Sequence, residues 1–248
     1  MSQPRQSPAR SIAAHTVLIL WTLIALFPVF VTVVNSFKSK RAIFTQPLAL
    51  PGPDSFDLVG YQTVANQGDF VAYFQNSLVV TCLSLFFVLL FGAMAAFALS
   101  EYRFRGNTLM GLYLALGIMI PIRLGTVAIL QMMVATGLVN TLTALVLVYT
   151  AQGLPLAVFI LSEFMRNVSD DLKNAGRIDG LSEYRIFFRL VLPLVRPAIA
   201  ALSVLVFTFI WNDYFWAMVL TTGADTQPVT AGLNSLNGQW VAAWHLVS

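Results

Sequence analysis

Long apolar stretches with few charges most constrain what this chain can fold into. Residues 13–36, 76–100 and 142–164 each run for more than 20 residues and contain at most one charged side chain. A helix of about 20 apolar residues is long enough to cross a bilayer core of about 30 Å. Only 10% of the 248 residues are charged, against about 25% in soluble domains. The chain is therefore predicted to be an all-α integral membrane protein.

The apolar pattern predicts a polytopic helical bundle with five full spans and the start of a sixth. Pro121 and Arg123 interrupt the third span. The last nine residues reach about 13 Å at 1.5 Å each, so we expect the sixth span to be incomplete in this sequence. Residues 1–12 are predicted to be a disordered N-terminus, and residues 13–248 a single transmembrane domain. The predicted spans are 13–36, 76–100, 108–133, 142–164, 198–222 and 240–248.

Small residues lie along one face of the second predicted span. Gly92 and Ala96 are four residues apart, and such a pair lets another helix approach closely in lipid. The neighbouring helix could belong to a partner subunit or to the same chain.

The longest polar interruption of the apolar pattern runs from Ser169 to Pro197. Ser169 is a plausible N-cap for a short helix over residues 172–179. Gly180 is expected to stop that helix, because glycine takes a left-handed conformation without steric cost. Ser182 is expected to cap the helix that follows.

The second helix of this polar segment is predicted to lie along the membrane surface. Ile186, Leu190 and Leu194 recur every fourth residue and therefore share one face. An amphipathic helix with arginines on its polar face is typical of a membrane interface. Pro193 is expected to mark the bend where the chain turns into the bilayer. The arginines that superpose on one face are Arg185, Arg189 and Arg196.

Residues 165–197 resemble the cytoplasmic loop of ABC-importer permeases, and we call them the coupling loop. The family pattern is Glu-Ala-Ala, two residues, Asp-Gly, and then Leu-Pro thirteen residues after that glycine. The chain departs from it at Asn174, where the family has glutamate, and at Gly176, which should weaken the helix by about 1 kcal/mol relative to alanine. The positions aligned with the pattern are Asn174, Ala175, Gly176, Asp179, Gly180, Leu192, Pro193 and a second family proline, Pro197.

Two further stretches resemble this family, and the first of them resembles its carbohydrate branch, whose maltose-transporter inner-membrane component is an example. Residues 37–51 read FKSKRAIFTQPLALP, and Trp211, Asn212 and Asp213 form a Trp-Asn-Asp run within the fifth predicted span. The resemblance implies the fold of an ABC type I importer permease. In that family the first short helix of the loop docks into a groove on an ATPase subunit. The implied coupling residues are Asn174, Ala175, Gly176, Arg177, Ile178, Asp179, Gly180, Leu181 and Pro193.

The implied translocation pathway has three candidate residues: Arg123, Asn212 and Asp213. Arg123 and Asp213 each lie fifteen residues into a predicted span that starts on the same side, so each is roughly 22 Å along its helix. Opposite charges at matched depth indicate an ion pair or polar groups facing a watery cavity. The alternative is that Arg123 extends toward the surface alone while Asp213 hydrogen-bonds a neighbouring helix.

Basic residues predict the orientation of the chain. Ten of the fourteen Lys and Arg residues lie on the side of the N-terminus and the coupling loop, and three lie on the other side. The excess places that side in the cytoplasm, and the resemblance implies the inner membrane of a prokaryote. A net charge of +3, concentrated beside the spans, favours membrane lipid rather than nucleic acid as the partner of these residues.

The resemblance implies a permease subunit for a sugar, glycoside or sugar alcohol. It implies an ATP-binding cassette ATPase dimer, a second homologous permease subunit and an extracytoplasmic solute-binding protein as partners. The chain has no phosphate-binding glycine run, so ATP and Mg are expected on the ATPase subunits, with no cofactor on this chain. A single cysteine, Cys82, and two distant histidines, His15 and His245, suggest no metal site.

Other functions remain open from the sequence. A membrane-embedded enzyme could use Arg123, Glu163 and Asp213, because charges inside a membrane are functional by default, although the three form no recognisable reaction signature. An ABC permease for a non-sugar solute would share the same loop. A channel would give no reason for an ATPase-docking segment.

Overall fold

The computed structural model describes residues 8–67 and 69–232. Residues 1–68 and 69–248 form two compact units. Helices dominate both described parts, and the β-pairing recorded in them is an isolated bridge between Lys38 and Phe56. The predicted all-α class is confirmed. Residues 240–248, the predicted start of a sixth span, lie outside the described residues.

The first unit contains α1 (Pro8–Ser36), α2 (Lys40–Thr45) and α3 (Val59–Gln67). The first helix begins at Pro8, so the prediction that residues 8–12 are disordered is wrong. Residues 8–12 form the first turns of α1 and continue into the apolar span. Adding residues to an existing helix costs less than starting a new one. In the loop after α1, the buried Lys38 ammonium donates to Asn35 Oδ1 at 2.9 Å and to the Gln46 carbonyl at 3.0 Å.

The second unit contains the remaining helices. Two of them, α4 and α7, are long and unbroken, whereas the others are short or separated by breaks. The order is α4 (Phe70–Glu101), α5 (Asn107–Met119), a 3₁₀ turn (Ile122–Gly125), α6 (Thr126–Ala135), α7 (Leu142–Arg166), α8 (Asp170–Ile178), α9 (Glu183–Ile186), a π-helical turn (Phe187–Val191), α10 (Leu192–Leu194), α11 (Arg196–Asn212) and α12 (Phe215–Leu220).

Three helices in the described residues are long and apolar enough to cross a membrane. They are Ser11–Ser36, Phe70–Glu101 and Leu142–Arg166, and two bent helix pairs raise the number to five if each pair is one span. The first bent pair joins α5 to the segment Ile122–Ala135 at 87°. The break falls at Ile120 and Pro121, and the proline ring prevents a continuous ladder of helical hydrogen bonds, so the predicted interruption is confirmed.

The fifth predicted span, residues 198–222, is not one helix. α11 ends at Asn212, Asp213 is extended with φ −73 and ψ 122, and α12 starts at Phe215. The Asp213 carboxylate accepts the Trp216 backbone N–H at 2.9 Å and so caps the first turn of the second piece.

The bend between the surface segment and α11 also differs from the prediction. The segment Glu183–Leu194 meets α11 at 76°, and the break falls at Val195 rather than at Pro193. Pro193 lies just before the end of that segment, whereas Pro197 lies in the first turn of α11, where proline lacks only an N–H that has no helical partner. The bend therefore falls between the two prolines, directly before α11.

Close contact between α4 and α7 forms the centre of the second unit. A Cβ built on Gly92 would lie 2.6 Å from the Ala157 Cβ, and one built on Gly153 would lie 2.7 Å from Val88 Cγ2. In lipid such close backbone approach supplies the packing that holds helices together. The small-residue face of α4 therefore packs within the chain at this position.

Replacing Gly92 with alanine should destabilise the protein. The added methyl group has no room against Ala157, and overpacking of this kind costs about 1–3 kcal/mol. Gly111→Ala is the matched control, because nothing lies within 4 Å of a Cβ at Gly111 and alanine favours the helix by up to about 1 kcal/mol. Thermal unfolding of the detergent-solubilised chain measures both, and equal melting temperatures for the two variants would contradict the close contact.

Candidate functional site

The helix α8 ends in the glycine turn that the sequence predicted. Gly180 has φ +78, which a glycine adopts without steric cost. Its N–H donates to the Arg177 carbonyl at 3.1 Å, and the Leu181 N–H donates to the Gly176 carbonyl at 2.9 Å. These two bonds form a Schellman motif, which satisfies carbonyls that the helix end would otherwise leave unpaired.

The helix starts differ from the prediction. Ser169 and Ser182 occupy N-cap positions, but the side chain of neither makes a capping hydrogen bond. α8 begins at Asp170, two residues before the predicted start. Asp170 and Asp171 lie in its first turn, where negative charge stabilises the positive end of the helix dipole.

α8 has one buried face and one exposed face. Lys173 and Gly176 are buried, whereas Leu172 is 40% exposed and Ile178 is 86% exposed. Leu172 and Ile178 are therefore apolar side chains of α8 that contact solvent. The other exposed coupling residues are Asn174, Ala175, Asp179 and Gly180.

Gly176 has a packing role that the helix propensity did not indicate. A Cβ at this position would lie 2.9 Å from Leu190 Cδ1 and 3.5 Å from Ile186 Cγ1. The glycine therefore lets α8 lie directly against the surface segment, and this contact offsets the cost of a glycine inside a helix. The departure from the family pattern has a local physical reason.

The surface segment buries a different face from the one predicted. Ile186 is buried as expected, but Leu194 is 55% exposed, and Val191 and Val195 are buried instead. The π-helical turn Phe187–Val191 places one extra residue in the turn, which shifts the side chains that follow it around the helix axis. The three arginines predicted for the polar face, Arg185, Arg189 and Arg196, are exposed.

Five charged residues form an ionic cluster between α8 and its neighbours. Lys173 Nζ lies 2.5 Å from Glu101 Oε2 and 2.7 Å from Asp170 Oδ1. Arg177 Nη2 lies 2.5 Å from Glu101 Oε1, and Arg177 Nε lies 2.8 Å from Glu183 Oε1. Glu101 is the last residue of α4, so its carboxylate joins the coupling loop to a membrane span.

The charges of this cluster stabilise one another. Burial alone lowers the pKa of Lys173, but hydrogen bonds to Asp170 and Glu101 raise this pKa above its usual value. The hydrogen bond from Lys173 lowers the pKa of Asp170, and hydrogen bonds to Glu183 and Glu101 raise that of Arg177. These directions all favour the charged forms at neutral pH.

Tyr102 adds a neutral donor beside the cluster. Its hydroxyl donates to Glu183 Oε2 at 2.7 Å. Burial first, and then the hydrogen bond and negative charge of Glu183, raise the pKa of Tyr102 to about 12. Tyr102 therefore remains a hydrogen-bond donor throughout the physiological range. Arg177 Nη1 also donates to Asn174 Oδ1 at 2.9 Å. Asn174, which stands where the family has glutamate, is therefore hydrogen-bonded to a member of the ionic cluster.

A second group of polar residues lies within the membrane spans, and we call it the membrane site. Arg123 Nη2 lies 3.7 Å from Asp213 Oδ1, so the two charges predicted at matched depth do meet. Asp213 Oδ2 accepts the Tyr149 hydroxyl at 3.0 Å and the Trp216 backbone N–H at 2.9 Å. The Asp213 side chain is 5% exposed, and these donors offset the cost of burying its charge.

The two partners of this ion pair have different surroundings. The Arg123 side chain is 64% exposed, and its guanidinium carbon lies 4.8 Å above the centre of the Phe215 ring, which attracts a cation. Asn212, the third pathway candidate, is exposed and donates to the Thr208 carbonyl at 2.7 Å. This bond is within its own helix.

Residues of the enzyme alternative are only partly brought together. Arg123 and Asp213 are in contact, whereas Glu163 pairs with Arg166 at 3.6 Å on an exposed surface. Residues 8–67 and 69–232 contain no group of three or more His, Cys, Asp or Glu side chains with metal-binding geometry.

Sequence reasoning missed four residues that organise these sites. Glu101 and Tyr102 follow the second predicted span, 76–100, and the sequence predicts no role for either of them or for Glu183 and Tyr149. One signal was available, since Lys173 and Arg177 are four residues apart on a helix and must share a face. Their acidic partner could not be found from spacing, because Glu101 is 72 residues away from Lys173.

Apolar helices, broken spans and a charged loop between spans are those of a multi-pass membrane protein. A family model described as "binding-protein-dependent transport system inner membrane component" matches residues 63–246. The chain therefore belongs to this family and is the permease subunit of an ABC importer, a transport subunit rather than an enzyme.

Relatives and a solved structure agree with this assignment. The diacetylchitobiose uptake system permease protein NgcG of Streptomyces coelicolor is 33% identical over 89% of this chain and 72% of its own length. The arabinooligosaccharides transport system permease protein AraQ of Halalkalibacterium halodurans is 31% identical over 86% of this chain and 76% of its own. A chain of a bacterial ABC transporter that imports the acidic polysaccharide alginate has the same fold, with a TM-score of 0.80 and 24% identity over 94% of this chain and 82% of its own.

Tyr149 should contribute more to stability than Arg123 at the membrane site. Tyr149→Phe removes a buried donor from the Asp213 carboxylate, at a cost of about 1–3 kcal/mol. Arg123→Ala removes an exposed partner worth up to about 1 kcal/mol. In an Asp213→Ala background, Tyr149→Phe should have little further effect, because the shared bond is already lost.

Thermal unfolding in detergent measures these variants against Tyr184→Phe, a control at a hydroxyl-bearing side chain that is 74% exposed. Additive losses for Tyr149→Phe and Asp213→Ala would show that the two side chains do not interact.

Proposed function

We propose that this chain forms half of the membrane pathway of an ATP-driven importer for a sugar, glycoside or sugar alcohol. A second homologous permease subunit supplies the other half, and an extracytoplasmic solute-binding protein delivers the cargo. An ATPase dimer carries ATP and Mg, and its subunit docks on α8. The exposed apolar face of α8 is the single observation that carries the docking proposal.

The geometry of α8 suits a docked helix. Ile178 is 86% exposed and Leu172 is 40% exposed, next to a glycine turn that ends the helix sharply. An amphipathic helix that places apolar residues in a groove is a common recognition mode. The buried face is held by the ionic cluster and by Gly176, so the exposed face is preorganised for a partner.

The proposed orientation places α8 and the N-terminus in the cytoplasm. Ten of the fourteen basic residues lie on this side, and basic residues beside spans favour the cytoplasmic side. Exposed Arg185 and Arg189 on the surface segment suit contact with lipid headgroups. An ATPase that uses cytoplasmic ATP can reach the coupling loop in this orientation.

The proposed cargo class comes from two observations. Relatives are named for diacetylchitobiose and arabinooligosaccharide uptake. The membrane site combines an exposed guanidinium with an aromatic ring at 4.8 Å, and cargo hydroxyls can accept hydrogen bonds from such a guanidinium. We propose Arg123, Asn212 and Asp213 as pathway residues, with Asp213 holding Arg123 in place.

Replacing Ile178 with aspartate should prevent ATPase docking. A charge at an apolar anchor opposes burial in a partner groove, and loss of such an anchor costs about 2 kcal/mol or more. Affinity for the cognate ATPase should fall at least about tenfold. Ile178→Leu keeps the apolar surface and serves as the matched control.

Co-purification of the ATPase with the tagged permease measures docking. Uptake of a panel of sugars into proteoliposomes, with the cognate solute-binding protein present, measures transport. Equal recovery of the ATPase with both variants would refute docking through α8. Absence of uptake for every sugar, with uptake of another solute, would refute the cargo class.

Gly180→Val should abolish solute-stimulated ATPase activity while the protein still reaches the membrane. A residue with a Cβ pays about 1–2 kcal/mol in the left-handed conformation, and a β-branched residue resists it most. Nothing lies within 4 Å of a Cβ at Gly180, so the effect arises from the backbone alone. Gly180→Asn, which tolerates this conformation, should retain most of the stimulation. Unchanged stimulation in Gly180→Val would refute the requirement for this turn.

A further inference from the structure

Glu101, the last residue of α4, joins the coupling loop to a membrane span. Its two carboxylate oxygens bond different cations of α8: Oε2 lies 2.5 Å from Lys173 Nζ, and Oε1 lies 2.5 Å from Arg177 Nη2. The side chains of Glu101 and Lys173 are 9% and 6% exposed. A carboxylate held on both oxygens fixes the orientation as well as the distance of its partner helix.

Stability by itself gives little reason for such a cluster. Ions lose their hydration when buried, and apolar side chains of similar size often stabilise a protein as well or better. The hydrogen bonds of an ionic cluster are directional, unlike apolar contacts, and form only within a narrow range of distances and angles. The cluster therefore fits a connection whose geometry matters.

The cluster lies on the opposite face of α8 from the proposed docking surface. Lys173 is buried, whereas Ile178 is exposed. Arg177 also bonds Glu183 at the start of the surface segment, so one side chain connects α8 with two neighbours. A displacement of α8 by a docked partner therefore acts on Glu101 and Glu183.

The span that ends in Glu101 is packed closely against α7 at Val88 and Gly92. Gly92 contacts Ala157, and Val88 contacts Gly153, with Cβ positions too close to admit a larger residue. α4 and α7 therefore move as one body, since close-packed interiors transmit displacement. α7 carries Tyr149, whose hydroxyl bonds Asp213 at 3.0 Å. A continuous series of contacts joins α8 to the membrane site.

We propose that Glu101 is a positioning residue that transmits the movement of α8 to α4, and through α7 to the membrane site, so that ATP hydrolysis is coupled to transport. This proposal rests on docking of the ATPase at α8. It assigns the ionic cluster a role in energy transfer that is separate from docking itself.

The number of solute molecules transported per ATP hydrolysed tests this proposal. Glu101→Gln should leave the ATPase attached, because the exposed face is unchanged and the Arg177–Glu183 bond and the packing at Gly176 still hold α8. It should lower the ratio in proteoliposomes at least about fivefold, the lower range of allosteric coupling. The double variant Glu101→Gln with Lys173→Met also removes the buried cation that Glu101 neutralised, and should give the same result. Glu163→Gln, an exposed carboxylate paired with Arg166 outside the cluster, should keep the ratio of the unsubstituted protein.

A covalent bridge provides a rescue. Cys82→Ser, Glu101→Cys and Lys173→Cys together place two thiols where the cluster was. Cross-linking them with a short bis-maleimide replaces the ionic connection with a covalent one. The ratio should be low before cross-linking and should rise after it, a change that a purely structural role would not produce.

Several results would overturn the proposal. One is an unchanged ratio in an assembled Glu101→Gln complex, and another is no rise on cross-linking. Failure of both the single and the double variant to assemble, with Glu163→Gln assembling normally, would show that the cluster serves folding alone. Failure of the docking proposal itself would give a different result, because Ile178→Asp and Ile178→Leu would then recover the ATPase equally.

Discussion

The close approach of α4 and α7 is the constraint on which the rest of the second unit depends. Lipid tails are as apolar as the helix surface, so helices in a membrane are held by packing rather than by exclusion of water. Gly92 and Gly153 leave no room for a side chain between the two helices. Both sites are attached to this pair, since Glu101 ends α4 and Tyr149 lies within α7.

Two buried carboxylates lie at functionally different places on this framework and are satisfied differently. Glu101 is bonded by two cations of one short helix. Asp213 is bonded by a tyrosine hydroxyl and a backbone N–H, with a mostly exposed arginine at 3.7 Å. The first arrangement holds a helix in one geometry. The second leaves a cation accessible in a region where charges are costly unless they have partners or water.

Local features of the sequence were predicted well because their causes are local. The turn at Gly180 was predictable, since a left-handed residue at a helix end is most often glycine. The break at Pro121 is explained by the ring and the missing N–H of proline. Helical rise predicted only that Arg123 and Asp213 lie at a similar depth; the contact between them is a result of the tertiary structure. By contrast, the predicted buried face through Leu194 was wrong, because the π-helical turn before it changes the register.

The sequence by itself determined the helical membrane class, the position of the coupling loop and its glycine stop. These three features depend on the length of apolar stretches, the spacing of residues and local backbone conformation, all of which are set by residues close together in the sequence. Only the tertiary structure decided which face of α8 is buried, why Gly176 replaces alanine and which carboxylate holds Lys173 and Arg177. Glu101 is 72 residues from Lys173, and no periodic pattern reports a contact between residues brought together by the packing of separate helices.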